Sequence, residues 1–203
     1  MILITGAAGK TGKAILGALL KQGAQVRCLV RSAAQKEQLI QLGATEVAIG
    51  DFLDADTLQA ACDGVQGVYH ICPNMSAQEV EIGRFILAAA QKNHVQHFVY
   101  HSVLHPQVAA MPHHWAKMQV EDLIFQSGLP FTILQPAAYM QNTLGYWPAM
   151  QSQGIYAIPY SLTSRSSLVD LNDLAQVAAQ VLLDGGHHFA TYEICGAQAL
   201  SAY

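Results

Sequence analysis

Thr5-Gly6-Ala7-Ala8-Gly9-Lys10-Thr11-Gly12 follows a short apolar run, Ile2-Leu3-Ile4, and precedes a segment in which Ile15, Leu16, Leu19 and Leu20 share one helical stripe. Glycines between a strand and a helix allow a tight reversal and a close backbone approach to a pyrophosphate. The helix start adds free N–H groups and a positive dipole end. This placement predicts a dinucleotide-binding βα unit, with Gly6, Gly9, Lys10, Thr11 and Gly12 around the phosphates. Gly9-Lys10-Thr11 also looks like the end of a nucleoside-triphosphate loop. That motif needs a glycine five positions earlier, where Ile4 stands, and the alternative frame ending at Gly12-Lys13 fails at Ala7 and Ala14. The triphosphate reading is rejected.

The alternation continues along the chain. Strands are expected over 26–30, 46–49, 68–71, 97–101, 131–134, 168–169 and 191–194. Helices are expected over 13–22, 33–42, 114–126 and 172–183. A short helix capped by Asp54 and one opened by a Ser76-Ala77-Gln78-Glu79 capping box complete the set. Strands separated by helices imply parallel pairing, because only a long crossover returns the chain in the same direction. The fold class is therefore α/β: a doubly wound parallel sheet of Rossmann type, strand order 3-2-1-4-5 and onward. One domain spans 1–203, with 143–167 and 185–203 contributing a small C-terminal substrate lobe.

Of 203 residues, 52% are apolar and 12% charged, against about 25% charged in typical soluble domains. A formal charge of −4 argues against a nucleic-acid partner, which calls for a basic face. The mean hydropathy of +0.23 points to apolar surface covered in a substrate pocket, a homo-oligomer contact or a regulatory protein partner. No run approaches the roughly 18–20 apolar residues of a membrane span, and Met1 is not followed by a leader-like segment. A cytoplasmic location is expected. Cys28, Cys62, Cys72 and Cys195 form no CxxC pair and read as small buried apolar residues. The nine histidines show no metal-binding pattern; His101 and His105 straddle a strand end, so no metal is expected.

Coenzymes lacking the 2′-phosphate are commonly recognised by an acidic residue about 20 positions past the loop. None occurs between Lys13 and Lys36. Arg31 stands at the end of the second strand instead, suited to pair with a phosphate through its planar fork, and Lys10 adds charge. NADP(H) is preferred over NAD(H).

The Gly6-xx-Gly9-xx-Gly12 loop, Arg31, Gly50-Asp51-Phe52 and Ser102 resemble the atypical short-chain dehydrogenase/reductase superfamily. The run from His114 to Leu123, then Ser127-Gly128-Leu129-Pro130 through Gln135-Pro136 and Tyr139-Met140-Gln141-Asn142, is similar to its NmrA-like branch of NADPH-dependent quinone reductases and redox-sensing regulators. The resemblance implies that Asp51 and Phe52 flank the adenine and that Cys72 and Pro73 lie along the ribose and diphosphate. It further implies that Lys117 bonds the nicotinamide ribose, and that Pro136 to Tyr139 line the nicotinamide and the acceptor opening, near Ser102. Relatives usually continue with further helices past the last strand. The parent superfamily's Tyr-xxx-Lys pair is missing: His113 stands four residues before Lys117. His113, with an ordinary pKa of about 6.5, is a candidate proton donor beside Lys117. Trp115, Tyr139, Trp147, Tyr156 and Tyr160 are candidates to stack a flat acceptor. The expected function is NADP(H)-dependent hydride transfer to a small apolar quinone or conjugated carbonyl. The alternative is a non-catalytic sensor of the NADPH/NADP ratio acting through a protein partner. An epimerase or dehydratase ranks lower, since such enzymes keep the tyrosine.

Overall fold

Ile2 and Ile4 of the first strand face one apolar layer and Leu3 faces another, so even a three-residue strand is covered on both sides. In the computed structural model, which describes all of Met1–Tyr203, seven parallel strands form one sheet. They are β1 (Ile2–Ile4), β2 (Val26–Val30), β3 (Glu46–Ile49), β4 (Gly67–His70), β5 (His97–His101), β6 (Phe131–Pro136) and β7 (Ala190–Ile194). Their order is β3-β2-β1-β4-β5-β6-β7, which matches the expected doubly wound sheet and extends it by two strands.

Seven helices accompany the strands: α1 (Lys10–Lys21), α2 (Ala33–Gln41), α3 (Ala55–Cys62), α4 (Glu79–Lys92), α5 (Pro112–Gln126), α6 (Trp147–Gln153) and α7 (Leu171–Leu183). Leu58, Ile86, Val120 and Ile124 bring α3, α4 and α5 against one face. Ile15, Leu19, Leu39, Ala175 and Ala178 bring α1, α2 and α7 against the other. The two faces gather 22 and 19 buried apolar residues, so neither is left to solvent, as parallel sheets require.

Four local expectations change. Helix α1 starts at Lys10 rather than at 13, so the end of the glycine loop is already its first turn. The 168–169 strand reduces to one bridge, Val169 beside Tyr139. Within the irregular stretch, a short 3-10 helix (Met140–Tyr146) runs into α6. The capping box at Ser76 does not form: Ser76 Oγ accepts from the Gln78 N–H at 3.2 Å, and Glu79 is buried elsewhere. Past α6, the chain ties residues 162–166 to its end, with Ser166 bridged to Leu200 and the Ala202 N–H donating to the Leu162 carbonyl at 3.1 Å.

Three strand histidines, His70, His97 and His101, lie in the interior. Thr5 Oγ1 accepts from the Ile71 N–H at 2.9 Å and donates to the Ile71 carbonyl at 3.2 Å. Its second lone pair therefore takes the Nδ1 proton of His70, at 2.8 Å, which leaves His70 Nε2 as an unpartnered acceptor. Thr132 Oγ1 donates to the His187 carbonyl at 2.6 Å and so accepts from His97 Nε2–H at 2.8 Å. Burial lowers His70 and His101 to about 3, with Lys117 adding repulsion. Burial, His188 and His187 lower His97 to about 4.

All three are neutral in the folded chain at pH 7 and become protonated first in the unfolded chain as pH falls below about 6.5. The unfolded state then binds more protons, so stability is full above that pH and is lost toward pH 4. Each histidine contributes about 1.4 kcal/mol per pH unit, or about 4 kcal/mol per unit for the three. Denaturant titrations at pH 7 and pH 5.5 should show this fall, and His97→Gln should reduce its slope by about a third. An unfolding free energy that is flat over that range would contradict the buried neutral assignment.

Candidate functional site

The carboxyl ends of β1 and β4 diverge into helices on opposite faces of the sheet, and the crevice between them is where ligands of open parallel sheets bind. Here the crevice is a cleft of about 1080 Å³. Its floor is the glycine loop. Gly6 has φ of +63°, and a Cβ there would stand 2.8 Å from the Ile71 carbonyl oxygen. A Cβ on Gly12 would stand 2.5 Å from the Gly6 carbonyl oxygen and 2.6 Å from Ala7 Cα. The backbone itself requires both glycines. Gly9 differs: its φ is −72°, and a Cβ would meet only the Gly6 carbonyl oxygen at 3.4 Å, an ordinary contact. The fold alone has no need of glycine there. Gly9 is also the N-cap of α1, with no side chain capping it and no acid in the first turn, so the opening N–H groups face the cleft.

The cleft wall brings together Gly6, Gly9, Lys10, Thr11, Gly12, Arg31, Phe52, Cys72, Pro73, Ser102, His113, Lys117, Pro136 and Tyr139. Asp51 is not on this wall; it is exposed and its Oδ1 accepts from the Leu53 N–H at 2.9 Å. Of the aromatic candidates only Tyr139 reaches the cleft, whereas Trp115, Trp147 and Tyr160 are exposed elsewhere and Tyr156 packs edge-on against Tyr146. The cysteines also divide. Three are buried, with Cys72 on the wall pushed up to about 12 by burial, while Cys195 is exposed at the cleft.

The two arginines of the second βα unit have different employment. Arg27 is committed, with Nε 2.6 Å from Glu46 and Nη1 donating to the Ala61 and Asp63 carbonyls at 2.9 and 2.6 Å. Arg31 is exposed at the rim, and its guanidinium has no protein partner. Lys10 extends from the first turn of α1 to the Asn142 side chain, and its Nζ lies 5.5 Å from the centre of the Tyr139 ring.

Lys117 sits in the second turn of α5, facing the end of β5. Its Nζ donates to Glu79 Oε1 at 2.7 Å and to the His101 carbonyl at 3.1 Å, while the Tyr100 hydroxyl donates to the same glutamate oxygen at 2.8 Å. Two of the three ammonium donors are thus used, and the third is free. Ser102 donates to Glu121, a second buried carboxylate, which also receives Gln135 Nε2 at 3.0 and 2.9 Å. Burial raises the Glu121 carboxyl, and the Ser102 and Gln135 bonds oppose it. His113, half-buried on the wall, is lowered from its ordinary value by burial, then by His114 and Lys117.

Glu79 and His101 escaped the sequence reading as site residues. The capping-box pattern disguised Glu79, and its partner lies 38 residues away. His101 carried one signal, its place immediately before Ser102 at a strand end.

The chain matches the NmrA-like family over residues 1–200. It is 31% identical over 203 residues to an NAD(P)H azoreductase of Xenophilus azovorans, a match covering 99% of this chain and 70% of that protein. It is 28% identical over 201 residues to quinone oxidoreductase 2 of Escherichia coli, covering 98% of this chain and 70% of the relative. An Escherichia coli NADPH-dependent quinone oxidoreductase, solved in complex with NADPH, shares the fold with a TM-score of 0.89 at 28% identity, covering 99% of this chain and 71% of that one. A glycine-loop cleft of this construction, together with a match over nearly every residue, shows that the chain belongs to the NmrA-like family.

Proposed function

We propose that this protein is an NAD(P)H-dependent reductase that prefers NADPH and reduces a small conjugated acceptor, a quinone or an enone. The observation that carries this reading is Gly9, a position where the fold tolerates a side chain but a diphosphate on the α1 amides does not. The relatives support it: one is named an NAD(P)H azoreductase, another a quinone oxidoreductase, and a solved neighbour an NADPH-dependent quinone oxidoreductase.

On this reading Gly6, Gly9, Lys10, Thr11 and Gly12 hold the diphosphate, Cys72 and Pro73 border its path, and Phe52 borders the adenine. Arg31 pairs with the 2′-phosphate. The free donor of Lys117 takes a nicotinamide ribose hydroxyl, with Glu79 and the His101 carbonyl fixing where it points. Ser102 is already committed to Glu121, so it shapes the wall by position rather than by a free hydroxyl. Pro136 and Tyr139 border the nicotinamide end, with His113 and Lys117 nearby. A bound nicotinamide supplies the hydride. The protein's part is to hold the acceptor close, exclude water and manage the product's proton. The segments 143–167 and 185–203 serve as the acceptor lobe; in support, Arg165, Ser166, Ser167, Glu193 and Cys195 line the cleft. The sensor reading has no observation of its own in its favour.

NADPH should be consumed on adding a panel of naphthoquinones and enones; an inert protein would refute the reductase. Arg31→Ala should weaken NADPH about 10- to 100-fold, as loss of a charge-assisted contact does, with NADH little changed. Equal losses for both coenzymes would remove the role of Arg31. Gly9→Ala should leave the unfolding free energy within about 1 kcal/mol of the parent while NADPH affinity measured by calorimetry falls; Gly12→Ala should lose stability as well, by about 1–3 kcal/mol.

A further inference from the structure

The parent superfamily's tyrosine is missing from α5, yet a tyrosine hydroxyl reaches the cleft from another element. Tyr139, just past β6, meets His101 Nε2 at 2.7 Å through its hydroxyl, and His101 Nδ1 meets the Tyr69 hydroxyl at 2.8 Å. The direction of this chain is set at its buried end. Tyr69 is fully enclosed, and His101 is the sole hydrogen-bond partner of its hydroxyl. Were His101 to donate from Nδ1, the Tyr69 proton would sit in the core without an acceptor, which is costly. Tyr69 therefore donates to Nδ1, the ring proton resides on Nε2, and Nε2–H donates to Tyr139. Burial and the nearby Lys117 and His70 keep the ring neutral, so this one tautomer accounts for both bonds. Tyr139 thus receives the His101 hydrogen bond at its oxygen, and its own proton, not taken by His101, is directed to the cleft side, where the Thr11 side chain also stands.

From this arrangement we infer that Tyr139 is the catalytic acid of the proposed reductase, with His101 and Tyr69 as positioning residues that keep its proton directed at the acceptor. The inference rests on reading the cleft as a hydride-transfer site. Once the acceptor has taken a hydride at one end of its conjugated system, the electron pair displaced onto its oxygen takes the Tyr139 proton. The product O–H bond forms as the Tyr139 O–H bond breaks. The tyrosinate retains the His101 N–H bond and the Lys10 ammonium beside its ring, and regains a proton from water when product leaves. Burial raises Tyr139 above the ordinary phenol value, offset in part by the Thr11 side chain, so the hydroxyl is protonated at neutral pH as an acid must be. His113 is less suited: its lowered pKa leaves a neutral ring at pH 7, with no acidic proton to give.

Nitrogen NMR of the whole chain labelled with 15N-histidine, without coenzyme, reads the tautomer, with His101→Gln assigning the signal. A proton on Nε2 is expected, and a proton on Nδ1 overturns the inference whatever the activity. In turnover with NADPH and a naphthoquinone, Tyr139→Phe should lower kcat about 100-fold, with KM for NADPH within about twofold and the solvent deuterium isotope effect abolished. Tyr69→Phe, which touches no part of the cleft, removes the hydrogen bond that fixes the His101 ring and should lower kcat about tenfold with KM for NADPH within about twofold. If Tyr139→Phe retains the parent kcat, or if His113→Asn alone abolishes the isotope effect, Tyr139 is not the acid. A parent chain that oxidises no NADPH with any acceptor overturns the reductase and the acid role together. A proton on Nδ1 in an active enzyme overturns the acid role alone.

Discussion

Everything at the carboxyl edge of the sheet depends on how closely α1 approaches the end of β1. The Gly6 carbonyl faces Gly12 with no room for a methyl group, and this contact brings the first turn of the helix onto the strand end. The opening amides of α1 consequently face the crevice rather than open solvent. Thr5 secures the other side, bonding to both the N–H and the carbonyl of Ile71 and so fixing the end of β1 against the end of β4. These two constraints hold the crevice open between strands whose helices leave in opposite directions.

Much of the architecture is legible in the sequence, because the physics that sets it is local. Periodicity and capping residues together placed a helix in every crossover, and β2, β3 and β5 fell on the expected residues. Helix α1 starts three residues before the expected position because Gly12, a poor helix former in isolation, is carried into the helix by packing. Ser76 and Glu79 had the right spacing for a box, but Lys117 and the buried Tyr100 compete for the same carboxylate, and neither lies nearby in sequence. Tertiary pairing outweighed a local motif.

The candidate site shows the same division. Loop glycines and Arg31 are legible because their roles follow from position along one βα unit. The pairing of His101 with Tyr69 and Tyr139 joins three separate elements, and no spacing rule reports it. The aromatic residues of the second half illustrate the opposite error, in which composition suggested a stacking cluster but the backbone carries Trp147 and Tyr160 away from the cleft. Apart from His70 Nε2, the buried side-chain polar atoms are mutually satisfied, so each constrains its neighbour's protonation, and the site's chemistry becomes a matter of proton accounting.

The unequal treatment of the four thiols carries a practical corollary. Cys28 and Cys62 are sealed in the interior and Cys72 is buried in the cleft wall, whereas Cys195 lies open at the cleft. A maleimide dye would find a single attachment point in the native chain, and that point looks directly onto the space a ligand would enter. The molecule thus comes with a built-in handle for an optical reporter, without engineering a cysteine in or out.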